Sequence, residues 1–251
     1  MAERTPNDTA WTLRGTVAEL RRGTFSGRID VSRPDLGLRQ VKLNGQELPG
    51  HLVAVQRQAE DSEWPLRVVD CYVRGDDLVA SYKPTGDWPY SPQLYWSADP
   101  LDGADGVLGS LSLLMSVETH LLDTWPRITV SSQLACQELL QVNPEAGTTE
   151  TLQPDQMIRP FTTPCCVLHR WGALPISYVE IMPTSDFLEL TVRHDAGDAF
   201  RAEWQLFADF LEKGVIRRAR LQTALLSRAN DLQLALACCE AMDRRPLPLT
   251  T

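Results

Sequence analysis

The amino-acid sequence predicts a mainly β protein: a large antiparallel, supersandwich-like β-sandwich closed by one short C-terminal helix. Three observations predict it. Apolar runs of strand length recur between Gly, Pro, Asn and Asp turn signals. Several of them alternate apolar and polar residues with period two. Only the stretch near the C-terminus combines a helix cap with helical apolar spacing. The chain has 251 residues, 43% of them hydrophobic, which suffices for one large sandwich core without disulfides or metal.

The elements follow in order. Residues 1–10 are polar and read as a mobile tail, and 11–251 as a single sandwich domain. Leu38 to Leu43 runs into Asn44-Gly45, a strong hairpin dipeptide, and His51 to Val55 is another short strand. Leu66 to Val73 and Leu78 to Lys83 flank Arg74-Gly75-Asp76-Asp77 and predict a hairpin with a four-residue loop. Strict alternation would put Leu66, Val68, Asp70 and Tyr72 on one face, and Arg67, Val69, Cys71 and Val73 on the other. Ser110 to His120 alternates over a long stretch, with Leu111, Leu113, Met115 and Val117 facing one way. Arg127 to Leu134 alternates again. Residues 143–160 have no periodicity and are rich in Pro, Gly, Thr and acids, which predicts an exposed loop able to act as a lid.

Strand-like runs follow at Cys165 to Trp171, Ile176 to Met182 and Phe187 to His194. Phe200 to Phe210 fits a helical period and a period of two equally well. A strand is favoured, because Lys213-Gly214 would then turn into the β-patterned run from Val215 to Leu226. Asn230-Asp231 caps a helix from Leu232 to about Met242, which Pro246 ends.

Composition excludes some classes of function. The formal net charge is −9, and the densest basic cluster, Arg217, Arg218 and Arg220, is interleaved with apolar residues. No basic stripe is present to neutralise phosphates, so neither nucleic acid nor an anionic membrane surface is an expected partner. The N-terminal decapeptide lacks the basic start and apolar middle of a signal peptide, and no apolar run is long enough to span a bilayer. A cytoplasmic location follows as the expectation. The six cysteines, Cys71, Cys136, Cys165, Cys166, Cys238 and Cys239, form no Cys-x-x-Cys pair and read as reduced, buried apolar residues. There is no phosphate-binding glycine motif and no Gly-x-Ser-x-Gly elbow, so no cofactor and no metal are expected.

Three constellations could carry chemistry. Glu118 and His120 share a strand face, an acid and an imidazole suited to proton transfer. His169, Arg170 and Trp171 precede a Gly-Ala-Leu-Pro turn, after which Tyr178 and Glu180 share a face. Antiparallel pairing across that turn would gather a general acid, a general base and an aromatic wall, with Arg170 placed to hold an anion or hydroxyl. Trp88, Tyr90 and Trp96 lie among Asp, Ser and Pro, and could form a stacking platform for sugars; core anchoring is the commoner use of such rings.

The run GRIDVSRPDLGLRQVKLNGQEL, the hairpin VVDCYVRGDDLVASY, the aromatic DWPYSPQLYW and the late strand VIRRARLQTALLSR together resemble galactose mutarotases and related carbohydrate-binding sandwiches. The likeness spans most of the chain from about residue 11. It implies a sugar ligand and, in epimerases of that family, a histidine acid and a glutamate base around the ring oxygen and C1. His120 or His169, with Glu180, are the candidates for those roles. The leading expectation is therefore a carbohydrate-recognising sandwich. The alternatives are a sugar epimerase or lyase using His/Glu chemistry, and a non-catalytic interaction subunit, for which a homo-oligomer is compatible with the composition.

Overall fold

A computed structural model describes residues 9–57, 65–98, 105–160, 165–172, 174–195, 199–207 and 209–245. The chain runs β1 (Trp11–Arg14), β2 (Val17–Arg22), β3 (Phe25–Asp30), β4 (Arg39–Leu43), β5 (Gln46–Glu47) and β6 (Gly50–Arg57). It continues as β7 (Arg67–Arg74), β8 (Asp77–Lys83), β9 (Tyr90–Ser97), β10 (Val107–Thr119), β11 (Ile128–Leu134), β12 (Glu138–Asn143) and β13 (Thr148–Thr151). Then come β14 (Met157–Ile158), β15 (Cys165–Arg170), β16 (Ile176–Met182), β17 (Glu189–Asp195), β18 (Ala199–Leu206), β19 (Arg217–Ser227) and the helix α1 (Asp231–Arg244).

The strands form three antiparallel sheets. The largest has nine strands, ordered β13-β12-β15-β16-β19-β10-β9-β8-β7. A five-stranded sheet, β14-β17-β18-β11-β6, packs on its inner face, and a second, β1 to β5 in chain order, joins the same core. Alternation explains the packing. Along β10, Leu111, Leu113, Met115 and Val117 are buried in the shared core, as the period of two predicts. The outer face of β12, β15, β16 and β19 is covered by α1, whose Leu234, Ala235, Cys238, Cys239 and Met242 form one buried stripe. Burial of Leu234 and Met242 contributes about 1.5–3 kcal/mol each.

The hairpin signals hold in detail. Asn44 and Gly45 both have positive φ, 52° and 80°, between the paired Leu43 and Gln46, which is the geometry a two-residue primed turn requires. The segment from 200 is a strand, β18, ending where Phe207 takes φ 54°. Five of the six cysteines are buried and all six are free thiols.

Four expectations are corrected. Arg74 pairs with Asp77, so the β7–β8 turn contains two residues, Gly75 and Asp76, instead of four. A bulge between Val68 and Asp70 breaks the alternation of β7: Cys71 and Val73 pack inward, while Val69 and Tyr72 are exposed. Residues 143–160 hold two short strands. The carboxamide oxygen of Asn143 accepts from the backbone N–H of Glu145 and Ala146, shaping a tight turn into β13. β13 is exposed at the sheet edge and β14 pairs with β17, so this segment does not form a free lid. Finally, Asn230 stands at the N-terminus of α1 without a side-chain cap bond, and the Asp231 carboxylate is spent on side-chain partners. The predicted tail lies largely outside the described residues; Ala10, at its end, is buried and its carbonyl accepts from the Arg21 N–H. Pro246 also lies outside them.

Candidate functional site

The short connection between β15 and β16 forces antiparallel pairing, with His169 opposite Tyr178 and Val167 opposite Glu180. Because paired residues share a face and alternate ones repeat it, His169, Tyr178 and Glu180 all point into the core between the two largest packed sheets. All three are completely buried. His169 Nε2 lies 3.7 Å from Glu180 Oε2, and the His169 and Tyr178 rings are 5.4 Å apart. The opposite sheet completes the group. Trp204 of β18 donates its indole N–H to Glu180 Oε2 at 2.8 Å. Tyr178 Oη is 3.1 Å from Ser132 Oγ on β11, which also accepts the Val53 N–H at 3.1 Å. Polar contacts therefore cross the sandwich from β15 to β6.

Electrostatics sets the protonation of this group. Burial alone would lower the His169 pKa, but contacts with Cys136 and the Glu180 carboxylate outweigh it and raise the value to about 9. Cys136 Sγ lies 3.8 Å from His169 Nδ1. His169 thus carries its second proton at neutral pH. Burial pushes the Tyr178 phenol well above its usual range, with the Glu180 charge adding to the effect. On β6, burial and the Arg201 charge lower the His51 pKa. Glu180 Oε1 and His169 Nε2 have no hydrogen-bond partner among the described residues. Also among the described residues, no group of three His, Cys, Asp or Glu side chains is placed to hold a metal ion, and no helix is long and apolar enough to cross a membrane.

No family model matches the chain, and no curated protein matches it. Solved structures do. The chain superposes on the Slr1438 protein from Synechocystis sp. PCC 6803 with a TM-score of 0.59 at 9% identity, covering 90% of this chain and 99% of that one. It superposes on a protein assigned as an aldose 1-epimerase from Escherichia coli K12 with a TM-score of 0.58 at 8% identity, over 84% and 99% of the two chains. A second protein so assigned, from Klebsiella pneumoniae, gives 0.54 at 10% identity, over 94% and 87%. The fold is galactose-mutarotase-like.

The mutarotase-like sandwich separates the other predicted residues from the buried group. Arg170 points to the opposite face, under α1. Its guanidinium binds Asp231 through two contacts of 2.9 Å and lies 3.5 Å from Glu138, while Ser177 donates to Asp231 at 2.6 Å. It pins the helix and does not face His169. Trp171 is buried. Trp88, Tyr90 and Trp96 are buried too, with Trp88 edge-on to Tyr90 at 5.1 Å, so these rings anchor the core and present no stacking platform. Tyr90 and Trp96 lie on β9, four places from β15, about 19 Å at normal strand spacing, and Trp88 just precedes that strand. Glu118 is exposed and on the outer face of β10. Glu180 is level with Thr223 and hence with Leu111, which leaves Glu118 about 23 Å away along the strand direction. His120 is exposed beyond the end of β10. The mutarotase-like core thus assembles His169, Tyr178 and Glu180, with Trp171 buried in the same core cluster as Tyr178, and leaves Arg170, Trp88, Tyr90, Trp96, Glu118 and His120 apart from them.

Sequence reasoning did not single out Trp204, Ser132, Cys136, His51 or Asp231. One signal was available for Trp204. A tryptophan on the core-facing register of Phe200, Ala202 and Leu206 needs an acceptor for its N–H, and a buried carboxylate is the strongest one.

Proposed function

We propose that this protein recognises a carbohydrate. The observation that carries the reading is the fold shared over nearly the whole length of both chains with proteins assigned as aldose 1-epimerases. The reading includes a single folding unit, supported by one core to which all three sheets contribute. A reducing, cytoplasmic setting is supported by six free thiols. A neutral partner is supported by the net charge of −9, which disfavours phosphate backbones and anionic lipid surfaces. Calorimetric titration with aldoses and short oligosaccharides tests it. Saturable heat with at least one sugar is expected; no heat with any of them contradicts it.

A second reading, a sugar epimerase, is favoured by one specific geometry. A histidine that holds its proton at neutral pH stands 3.7 Å from a carboxylate, an acid and a base in direct contact that a sugar would have to part in order to bind between them. Both groups are completely buried, so this reading requires an opening that brings sugar to Glu180. Polarimetry of freshly dissolved α-D-glucose and α-D-galactose decides it. Faster mutarotation that Glu180→Gln abolishes supports catalysis by this pair; an unchanged rate with wild-type protein excludes it.

A further inference from the structure

The apolar side chains left exposed concentrate at one end of the sandwich, beyond the C-terminal end of β10 and the N-terminal end of β19. There Leu122 is 76% exposed, Ile216 53%, Trp125 49% and Phe210 41%. Such a cluster marks a surface that meets something. The Trp125 and Phe210 rings stand edge to face, 5.8 Å apart. Their loops are tied together by Thr124 and Leu211, which exchange bonds of 2.8 Å and 3.0 Å, so the pair is held in place.

Beside this rim lies a shallow groove, open to solvent, lined by Asp186, Phe187, Phe207, Asp209 and Arg217 among others. Two features show that it is built. The Asp186 carboxylate is oriented from behind, accepting from the Arg220 backbone N–H at 2.8 Å and from Ser185 Oγ at 2.6 Å. Phe207 and Arg127, facing each other where β18 and β11 end, both adopt left-handed backbone, φ 54° and 46°. Neither is glycine, and such strain costs about 1–3 kcal/mol each, which persists only where the surrounding structure enforces it. The floor, Phe187, stands edge-on to Trp204 at 5.2 Å, the same Trp204 that donates to Glu180.

We propose that this end groove is a saccharide site. The proposal rests on the carbohydrate reading above and gives it a location. The chemistry fits a neutral pyranose: the fixed Asp186 carboxylate accepts from a hydroxyl, the Arg217 guanidinium donates to ring or hydroxyl oxygens, and exposed aromatic faces stack on the C–H face of a sugar. The aromatics that the sequence pointed to are buried, whereas Trp125 and Phe210 are the ones a sugar can reach.

The test titrates the intact protein with D-glucose, D-galactose and cellobiose by calorimetry, alongside Trp125→Ala, Phe210→Ala and Arg217→Ala. These positions are exposed, and unchanged melting temperatures will confirm that the variants fold. At least a tenfold rise in Kd is expected for Trp125→Ala and for Arg217→Ala. Wild-type binding with unaltered Kd in all three variants overturns this location and leaves the carbohydrate reading standing. Absence of binding by the wild type defeats that reading and the location with it. A concentration-dependent dimer, seen by light scattering and abolished by Trp125→Ala while sugar heats stay the same, makes this end a contact between copies and overturns the proposal.

Discussion

Replacing His169 with glutamine changes how stability depends on pH, in a direction and amount that follow from its surroundings. The folded-state pKa is about 9 and the reference value is 6.5. A raised pKa stabilises the fold fully below the unfolded value and loses that contribution as pH rises through the folded one. The full contribution is about 3 kcal/mol; most of it remains at pH 7 and little at pH 9. Wild-type protein should therefore lose about 2 kcal/mol of unfolding free energy between pH 7 and pH 9 through this one group. Cys165 and Cys238, raised to about 12 by burial, act in the same direction as pH passes the ordinary thiol value near 9. The measured quantity is accordingly the difference between wild type and His169→Gln, from urea titrations at half-unit steps of pH. The stability gap between the two should close by about 2 kcal/mol over that interval. A gap that stays constant from pH 7 to 9 refutes the argument, because it means that His169 does not hold an extra proton in the core.

Three further outcomes follow. Trp204→Phe removes the indole N–H that Glu180 Oε2 accepts and should cost about 3 kcal/mol, read from the urea midpoint; an unchanged midpoint contradicts the crossing network. Asp231→Ala strips Arg170, Ser177 and Arg228 of a shared acceptor and should cost about 3 kcal/mol, with faster amide exchange concentrated in α1. Gly50→Ala drives a Cβ into the Gln133 carbonyl oxygen at φ 117° and should cost about 4 kcal/mol or prevent folding. Gly75→Ala, at φ 60° with open space around it, should cost only about 1 kcal/mol, and equal melting temperatures for the two glycine variants would contradict the backbone geometry.

The strands were legible in the sequence because a half-buried strand writes its period into its residues. Leu111, Leu113, Met115 and Val117 show this most plainly. A bulge leaves no such trace: nothing in Leu66 to Val73 announces that Val69 drops out of register and turns Tyr72 to solvent. The residues 143–160 misled for a related reason. Edge strands such as β13 have no buried face, so their sequence looks like loop. The grouping of His169, Tyr178 and Glu180 was legible, since a short turn dictates which residues pair. Their burial was not. Every residue of β16 is buried, because α1 covers one face and β11 and β18 the other, and those partners come from distant parts of the chain. The same distance hid the pairing of Arg170 with Asp231, 61 residues later. Buried tryptophans and exposed ones cannot be told apart by type, so nothing in the sequence showed that Trp88 and Trp96 are buried while Trp125 is exposed.

Carbohydrate recognition is tested most directly by saturation-transfer NMR on the unmodified protein with D-glucose, D-galactose and cellobiose. Saturating protein aromatic protons should transfer signal to the C–H protons on one face of a bound ring, and excess unlabelled sugar should compete it away. Absence of transfer to every sugar, with the protein folded and the rings of Trp125 and Phe210 exposed as described, contradicts the account.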